Sequence, residues 1–336
     1  MQTDVKRVVF AAPNQVNYQT EAETLTPLPD GIVIETRYSC ISSGTELAKL
    51  TGLQPFSFPS QIGNRAIGRV VEAGPDCRTL KPGDLVFSHT PHSSHAQGNL
   101  LVAGLPDELD RPEASMLGLA LVATCGVCVA KPAEGSWAVV TGAGLVGQLL
   151  SQILLARGVT PILVDRIGER LDRARACAIE HVVNAEHDEP TAAVMELTDG
   201  RGAASAFECT GIPALALLAA SCCAQSGQLV LVGSPRQEHV ADLTPLLKCV
   251  HEWRPHGDLT IRGAHEWKIP LYPSPESEFS QEQNLQDLSD LVLRGRLNLA
   301  PLMTTLCPPE NCQQAYDQLR NDPQNNIGTV FDWTLA

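Results

Sequence analysis

The chain contains 336 residues, of which 43% are hydrophobic and 18% are charged, and its formal net charge at pH 7 is −14. This composition argues against a disordered or fibrous protein, and the excess of acidic residues argues against nucleic acid or an anionic membrane as a partner, because phosphate-binding surfaces are normally rich in Lys and Arg. At this length two domains are expected.

The first third of the chain is typical of β structure. Between Val5 and about Gly104, short runs rich in Val, Ile and aromatic residues are separated by turns that contain Pro, Gly and Asn. The strands predicted there are VVFA, GIVIETRYS, AIGRVVEAG and DLVFSH. This region is therefore predicted to be a β-rich domain.

After Pro112 helices and strands alternate. The longest apolar run, about Met116 to Ala130, is too short to span a bilayer, so we expect a buried helix. The elements predicted next are the strand WAVVT, the helix QLLSQILLARG, the strand PILVD, the helix ERLDRARACA, the strand HVVN, the helix AAVMELT, the strand SAFEC, a helix from Pro213 to Ala224, and the strands QLVLVG and LTIRGA. Such alternation predicts a parallel, doubly wound sheet with ligands at the carboxyl ends of its strands.

The last part of the chain, from about Glu266, contains too few strands to form a domain of its own. Helices through LQDLSDLVLRGR and PENCQQAYDQLR are followed by a terminal strand, TVFDW. We therefore expect this part to return and complete the first domain.

The cysteines and the N-terminus indicate a cytoplasmic protein. Eleven scattered cysteines, an odd number, suit a reducing compartment better than a disulfide framework. The N-terminus, MQTDVKRVVF, has charges where a signal peptide needs its apolar region. Cys125 and Cys128 form a CxxC, but no second pair follows at a zinc-site spacing, so we expect core thiols rather than a redox or metal site.

A glycine-rich motif, GAGLVG, follows the predicted strand WAVVT and opens a helix. In this context Gly142 permits the tight turn, Gly144 lets a pyrophosphate approach the backbone, and Gly147 lets the helix pack closely. Leu145 and Val146 complete the helix N-terminus, whose N–H groups and dipole favour phosphates. The motif predicts a dinucleotide site.

The acidic residue Asp165 ends the next predicted strand, 18 residues beyond Gly147. A carboxylate there accepts hydrogen bonds from ribose hydroxyls and repels a 2′-phosphate, which favours NAD(H). Arg166 could accommodate that phosphate, so NADP stays open as the alternative. Later strand ends are expected to complete the cofactor site, namely Thr210, Gly211, Gly233 and Ser234.

The sequence resembles the medium-chain dehydrogenase/reductase family, which includes the zinc alcohol, sorbitol and threonine dehydrogenases. The similarity covers nearly the whole chain and rests on the order and spacing of SSGTEL, IGNRAIGRVVEAG, KPGDLVF, GAGLVG, VDRIGERLDRARA, ELTDGRGAASAFECTG and QLVLVG. It implies an α/β fold in which a Rossmann doubly wound parallel sheet, residues 122–266, is inserted in a β-rich GroES-like catalytic domain, residues 1–121 and 267–336. It also implies a homodimer or homotetramer, with the strand LTIRGA as a possible subunit contact.

The chain departs from that family at the zinc ligands. Where zinc enzymes of the family carry a Cys, a His–Glu pair and a third ligand, this chain has Ser43, Asn64 with Arg65, and Gly118. None of these supplies a thiolate or an imidazole, and Arg65 adds a positive charge, so the catalytic zinc is predicted to be absent. The structural zinc lobe is also predicted to be absent, because the segment after Pro91 reads HSSHAQGN.

Three nearby histidines raise the question of a replacement metal. His92 and His95 are spaced as HxxH, and His89 precedes them. A zinc site needs three or four ligands, and no carboxylate or Cys partner is evident in the sequence, so we predict no metal there.

Without zinc, other groups must stabilise the alkoxide and accept its proton. Thr45 matches the residue that begins the proton relay of the family, but the relay histidine position holds Ala48. The proton is therefore expected to leave through Lys49 or His89. His89 is the preferred general acid/base, because the unperturbed pKa of imidazole is near neutrality.

The substrate pocket is predicted to contain Ser43, Glu46 and Asn64. Arg65 is expected to hold a developing oxyanion or a carboxylate, although a simple ion pair with Glu46 is the alternative.

Three functions fit these features. The leading one is a zinc-independent, NAD(H)-dependent oxidoreductase that interconverts a secondary alcohol and a ketone. The alternatives are an NADPH-dependent quinone or enoyl (C=C) reductase and a non-catalytic nucleotide-binding relative. The motif SGTE and the terminal DW resemble the branch that contains the bacteriochlorophyllide hydroxyethyl dehydrogenase, a likeness that does not identify a substrate.

Overall fold

The computed structural model describes residues 1–98 and 100–336, and its chain divides into two compact units. The first unit contains Met1–Leu119, Pro270–Gly295 and Leu302–Ala336, and the second contains Ala120–Ile269 and Arg296–Pro301. The predicted fold class is confirmed, because a parallel Rossmann sheet occupies the second unit and a β-rich domain built from both chain ends forms the first.

The strands follow the chain in order. They are β1 (Gln2–Ala12), β2 (Gln15–Thr24), β3 (Ile32–Cys40), β4 (Ser60–Gln61), β5 (Ala66–Ala73), β6 (Leu85–Ser88), β7 (His95–Gly98), β8 (Val102–Gly104), β9 (Trp137–Thr141), β10 (Thr160–Asp165), β11 (His181–Asn184), β12 (Ala203–Glu208), β13 (Cys223–Leu231), β14 (Thr260–Gly263), β15 (Thr305–Cys307) and β16 (Thr329–Asp332).

The α-helices are α1 (Ser43–Leu50), α2 (Leu117–Ala130), α3 (Leu145–Ala156), α4 (Gly168–Ala176), α5 (Pro190–Leu197), α6 (Leu215–Ser221), α7 (Thr244–His251), α8 (Gln281–Leu293) and α9 (Cys312–Asn321).

The sheet of the second unit runs in the order β11-β10-β9-β12-β13-β14, and its described pairings are all parallel. This is the strand order of a dinucleotide-binding Rossmann sheet, in which ligands bind where the order reverses, at the carboxyl ends of the central strands. Consecutive residues of β9, Ala138 to Val140, are all fully buried. Because successive side chains point to opposite faces, both faces of this strand are covered, which explains why its sequence is apolar without alternation.

The first unit contains two sheets. One has the order β2-β1-β4, and the other has the order β15-β16-β3-β5-β6-β8, with β7 also paired to β3. Its largest fully buried aromatic side chains include Phe10, Phe331 and Tyr316, which belong to one hydrophobic cluster. Because β16 and α9 belong to the last 25 residues, the C-terminal part completes this unit.

Several details differ from the sequence-based expectations. The elements that were not predicted are the strands β2, β4, β7, β8 and β15 and the helices α1 and α7. The predicted helix from Pro213 to Ala224 is wrong at its C-terminal end, because α6 ends at Ser221 and Cys223 already begins β13. The error arises because Cys223 and Ala224 continue an apolar run that suits either a helix or a strand.

The apolar run around α2 forms a helical segment from Pro112 to Ala130. By length and composition alone this segment could cross a membrane, but 83% of its most apolar window is buried inside the protein. Burial of this kind is typical of the core helix that the sequence predicted.

Candidate functional site

The glycine turn lies between the end of β9 and the start of α3. Gly142 has φ +96°, a left-handed conformation that side chains resist. A Cβ at Gly147 would lie 1.9 Å from the Gly142 carbonyl oxygen, so the helix approaches the turn closely only with glycine there. A Cβ at Gly144 would meet no atom within 4 Å, which leaves the backbone open at the N-terminus of α3. This opening suits a pyrophosphate.

The carboxylate of Asp165 fastens the glycine turn to the end of β10. One oxygen accepts the Ala143 N–H at 2.6 Å and the other accepts the Ile167 N–H at 2.9 Å. Arg170 Nη1 lies 3.8 Å from the first of these oxygens. Burial lowers the pKa of Arg170, and the charge of Asp165 opposes that shift. Asp165 therefore has a structural role in addition to the predicted ribose contact.

Two further loops meet the glycine turn at the same edge of the sheet. A Cβ at Gly142 would lie 2.6 Å from Thr210 Cγ2, and one at Gly233 would lie 2.2 Å from the Gly211 nitrogen. Gly211 in turn faces the backbone of Ser234 so closely that a Cβ would lie 2.4 Å from the Ser234 carbonyl oxygen. The structure thus brings together the cofactor residues predicted after β9, β12 and β13.

Glu208, at the end of β12, was missed by the sequence analysis. Its carboxylate accepts hydrogen bonds from the Thr210 backbone N–H at 2.7 Å, the Thr210 hydroxyl and the Gly211 N–H at 3.0 Å. Burial raises the pKa of Glu208, and these hydrogen bonds oppose the shift. The residue shapes the Thr210–Gly211 loop, and the signal that could have identified it is an acidic residue ending an apolar strand.

In the first unit, the predicted substrate and relay residues begin helix α1. Ser42 is the N-cap, and Ser43 and Thr45 in the first turn are half-buried. Lys49, in the last turn, places its ammonium nitrogen 5.5 Å from the ring centroid of Phe56, a cation–π contact. The proposed part of Lys49 in proton transfer stays a prediction.

The imidazole of His89 is buried and contacts acceptors on both sides. Its Nδ1 lies 2.9 Å from the Asn64 carbonyl oxygen, and its Nε2 lies 3.1 Å from Gln281 Oε1. Both oxygens only accept, so each contact is a hydrogen bond only when the facing ring nitrogen carries a hydrogen; Nδ1 faces the backbone, and Nε2 faces a side chain. Gln281 covers that nitrogen, so an acid/base role for His89 requires Gln281 to release it.

The side chain of Arg65 fills the space next to Gly118, which has no side chain. Arg65 is 2% exposed, and a Cβ at Gly118 would lie 2.8 Å from Arg65 Cδ and 2.9 Å from Phe87 Cε2. Any side chain at residue 118 would therefore displace Arg65 or Phe87. The family resemblance implies a zinc ligand near this position, and in this chain Arg65 packs into that space.

A catalytic zinc does not fit this set of residues. The hydroxyl of Ser43 and the amide of Asn64 are weak zinc donors, Gly118 has no side chain, and the Arg65 guanidinium is a fixed positive charge. Within residues 1–98 and 100–336, no group of three or more His, Cys, Asp or Glu side chains is arranged to hold a metal ion.

A buried carboxylate–imidazole pair was also missed by the sequence analysis. Glu46 and His92 are 2% and 0% exposed, and His92 Nε2 lies 3.2 Å from Glu46 Oε2. The same oxygen accepts the Tyr316 hydroxyl at 2.5 Å, and Oε1 accepts the Ser42 N–H at 2.8 Å. Glu46 therefore pairs with His92. Its place in the substrate pocket stays a prediction.

Opposing effects act on the pKa of Glu46. Burial alone raises it, but the charge and hydrogen bond of His92, with the hydrogen bonds from Tyr316 and Ser42, lower the pKa below its usual range. Burial, together with the neighbouring Glu46, raises the pKa of Tyr316 well above its usual range. Glu46 is therefore ionised, and Tyr316 keeps its proton, at neutral pH.

His95, the other histidine of the HxxH pair, has a different hydrogen-bond partner from His92. His95 Nδ1 lies 3.2 Å from the Ser94 hydroxyl, and burial lowers the pKa of His95 although Glu35 opposes the shift. Asn99, the last residue of the segment HSSHAQGN, lies outside the described residues.

The cysteines form no disulfides in the described parts of the chain, which include all eleven of them. Cys125 and Cys128, the CxxC pair, are both buried, and the Cys125 thiol donates to the His265 carbonyl oxygen at 3.3 Å. Burial, followed by the neighbouring Cys128, raises the pKa of Cys125 to about 12. Thiols with raised pKa values are poor nucleophiles and poor metal ligands.

A glycine turn on a Rossmann sheet, in a chain whose two ends form a separate β-rich unit, is the architecture found in two-domain dehydrogenases. Residues 146–267 match the model of the zinc-binding dehydrogenase family. A probable zinc-binding alcohol dehydrogenase of Mycobacterium tuberculosis is 26% identical, over 94% of this chain and 85% of its own length.

A second relative and a solved structure are also similar to this chain. The 2-desacetyl-2-hydroxyethyl bacteriochlorophyllide A dehydrogenase of Cereibacter sphaeroides is 26% identical, over 97% of both chains. A Sinorhizobium meliloti protein solved with NADP bound has a TM-score of 0.78 and 16% identity, over 98% of this chain and 100% of its own. These comparisons support membership of the medium-chain dehydrogenase/reductase superfamily. The zinc and the NADP in these descriptions are features of those relatives.

Proposed function

We propose that the protein is a zinc-independent, NAD(H)-dependent oxidoreductase that interconverts a secondary alcohol and a ketone. The observation that carries the proposal is the pairing of an intact dinucleotide turn with a substrate region whose ligand positions hold Ser43, Asn64 and Gly118. Alcohol oxidation by the superfamily supports the reaction type, and the cytoplasm is the proposed location.

The cofactor half of the proposal rests on the second unit. The open backbone at Gly144 and the N-terminus of α3 would hold the pyrophosphate, and Asp165 would accept the ribose hydroxyls. A carboxylate at that position repels a 2′-phosphate, which favours NAD(H) over NADP(H). When bound, the nicotinamide supplies hydride acceptance and donation.

The substrate half rests on the first unit. Thr45 would accept the hydroxyl proton of the alcohol and pass it on, as its match to the family relay suggests. The buried, permanently charged Arg65 would stabilise the oxygen as negative charge develops, the part that a metal takes elsewhere. His89 Nε2, once Gln281 moves, or Lys49 would take the proton onward.

Turnover without metal tests this proposal. The purified protein is depleted of metals with a chelator and assayed with NAD⁺ and a panel of secondary alcohols, polyols and sugars. We expect NADH formation that is unchanged by chelation and is not raised by added Zn²⁺. Loss of turnover on chelation, with recovery on Zn²⁺ addition, would contradict zinc independence.

A second outcome of the same assay concerns the C=C reductase alternative. An NADP-bound structural neighbour and the exposed Arg166 favour that alternative. Oxidation of NADPH by quinones or enones, without turnover of any alcohol, would replace our proposal with it. Nucleotide binding without turnover of either substrate class would instead favour a non-catalytic relative.

We also propose that the protein is a homo-oligomer, at least a dimer. Strand β14 lies at the end of the described Rossmann sheet, and all four of its residues are exposed. An exposed edge strand with unpaired backbone groups is a template for pairing with a second strand. Light scattering should give twice the monomer mass, and Ile261→Lys in β14 should halve it; a monomeric wild type would contradict the proposal.

A further inference from the structure

A continuous buried chain of hydrogen bonds crosses the first unit. The Trp333 indole N–H donates to Ser39 Oγ at 2.8 Å, and Ser39 Oγ lies 2.8 Å from His92 Nδ1. His92 Nε2 then reaches Glu46, whose other oxygen accepts the Ser42 N–H. This hydrogen-bond network therefore runs from Trp333, just after β16, to Ser42, the N-cap of α1.

Two bonds of this network have a fixed direction. An indole nitrogen only donates, so Ser39 Oγ accepts from Trp333. The ionised Glu46 carboxylate only accepts, so His92 Nε2 carries a hydrogen and donates it to Glu46. The contact between Ser39 Oγ and His92 Nδ1 joins these two bonds.

Glu46 connects this hydrogen-bond network to the start of α1. Its carboxylate receives three donors, from His92, Tyr316 and the Ser42 backbone. The Glu46 N–H also bonds to the Ser42 carbonyl oxygen at 2.8 Å. The turn between these two residues, which carries Thr45, is therefore closed by both the backbone and the side chain.

His92 also contacts the segment that carries Asn64 and Arg65. Its backbone N–H donates to the Ile62 carbonyl oxygen at 2.8 Å. A Cβ at Gly63 would lie 2.5 Å from His92 Cδ2, so the Gly63 backbone rests directly against the imidazole ring. One side chain thus touches both segments to which the proposed function assigns substrate chemistry.

We propose that His92, with Nε2–H directed at Glu46 and Nδ1 in contact with Ser39, is a positioning residue: it fixes the Thr45 turn through Glu46 and the Asn64–Arg65 segment by direct contact. The structural part stands on these contacts alone. The catalytic consequence rests on the proposed function, in which Thr45 and Arg65 act on the substrate.

The tautomer is tested first, without any substrate. Long-range ¹H–¹⁵N correlation spectra of protein labelled with ¹⁵N-histidine distinguish the two tautomers, and the His92 signals are those lost in His92→Gln. We expect the Nε2–H pattern in the wild type and in His95→Gln, the control from the same segment. In Glu46→Gln the new amide can donate to the ring, so the Nδ1–H pattern should grow. A His92 ring that carries no hydrogen on Nε2 in the wild type at pH 7.5 would overturn the proposal.

Hydrogen exchange tests the positioning step. The Ser42 amide should exchange at least tenfold faster in His92→Phe than in the wild type, whereas amides of α3 in the second unit should be unchanged. Trp333→Phe, a milder change at the other end of the network, should accelerate Ser42 exchange less. Unchanged Ser42 exchange in both folded variants would overturn the proposal, and this readout stands even when no substrate turns over.

The catalytic consequence is tested last, with an alcohol that the wild type oxidises. His92→Phe should lower kcat at least tenfold with little change in the dissociation constant for NADH, and His92→Gln, which can still donate to Glu46, should recover part of the loss. Normal kcat in folded His92→Phe would overturn the positioning role while leaving the proposed function intact. Absence of any wild-type turnover would instead remove the proposed function and leave the tautomer and exchange results standing.

Discussion

The nucleotide turn and the substrate region of this protein are built in opposite ways. The turn is local: Gly142, Gly144 and Gly147 lie within six consecutive residues, and Asp165 closes the turn from the next strand. The substrate region is assembled from distant segments; the hydrogen bond between Tyr316 and Glu46 spans 270 residues. A local site leaves its signature in the sequence, whereas an assembled one shows only after folding.

The largest effect should come from adding one methyl group to the turn. Gly147→Ala places a Cβ 1.9 Å from the Gly142 carbonyl oxygen, and backbone cannot yield as a side chain can. We expect a loss of about 3 kcal/mol or more in the free energy of unfolding, measured in urea, since overpacking typically costs 1–3 kcal/mol even where side chains can move.

Gly144→Ala is the matched control for that variant. Its Cβ would meet no atom within 4 Å, so the free energy of unfolding should stay within about 0.5 kcal/mol of the wild type. NADH binding should nevertheless weaken at least tenfold, because the methyl group occupies the approach of the pyrophosphate. Wild-type NADH affinity in Gly144→Ala would contradict our placement of the cofactor.

In the substrate region, unlike in the glycine turn, the stability cost of a substitution should depend on pH. The pKa of Glu46 is lowered in the folded protein, so its ionised form stabilises the fold above the unfolded pKa, and this contribution is lost as the pH falls through the lower folded value. Glu46→Gln should therefore cost about 2 kcal/mol of unfolding free energy at pH 7, the range for hydrogen bonds to a charged group, and less at pH 4. A cost that is equal at both pH values would contradict an ionised Glu46.

A smaller effect is expected where Arg65 packs against Gly118. Gly118→Ala brings a Cβ within 2.8 Å of Arg65 Cδ, and because that contact is a side chain the cost should be about 1 kcal/mol. The variant should lower kcat and leave NADH binding unchanged, whereas Gly104→Ala, whose Cβ has only Leu80 at 3.7 Å, should change neither. An unaltered kcat in Gly118→Ala would argue against a role for the Arg65 position.

The sequence was sufficient for the Rossmann sheet and for the glycine turn at its carboxyl edge. Buried parallel strands are continuous apolar runs, and the glycine spacing and Asp165 follow from local geometry. The strand β2 was missed because QVNYQTEAET is polar and mostly exposed; its pairing with β1 holds it in place. Helix α1 is eight residues long and contains Gly44, which weakens its helical signal.

The buried network could not have been predicted from the sequence. Glu46 was expected in the substrate pocket, and the residues that it contacts come from α9 and from the segment before β7. Nothing in the spacing of His92, Tyr316 and Trp333 indicates that they meet. Only the return of the C-terminal part into the first unit brings them together.

The most direct test of the central claim is a titration of the protein with NADH and, separately, NADPH, followed by tryptophan fluorescence before and after chelation. Asp165→Asn, which keeps the shape of the side chain and removes its charge, is the informative variant, and Arg166→Gln is the neighbouring control. We expect NADH to bind at least tenfold more tightly than NADPH, with no change on chelation, and we expect this preference to shrink in Asp165→Asn alone. A preference for NADPH, or NADH binding that chelation abolishes, would contradict a zinc-independent NAD(H) enzyme.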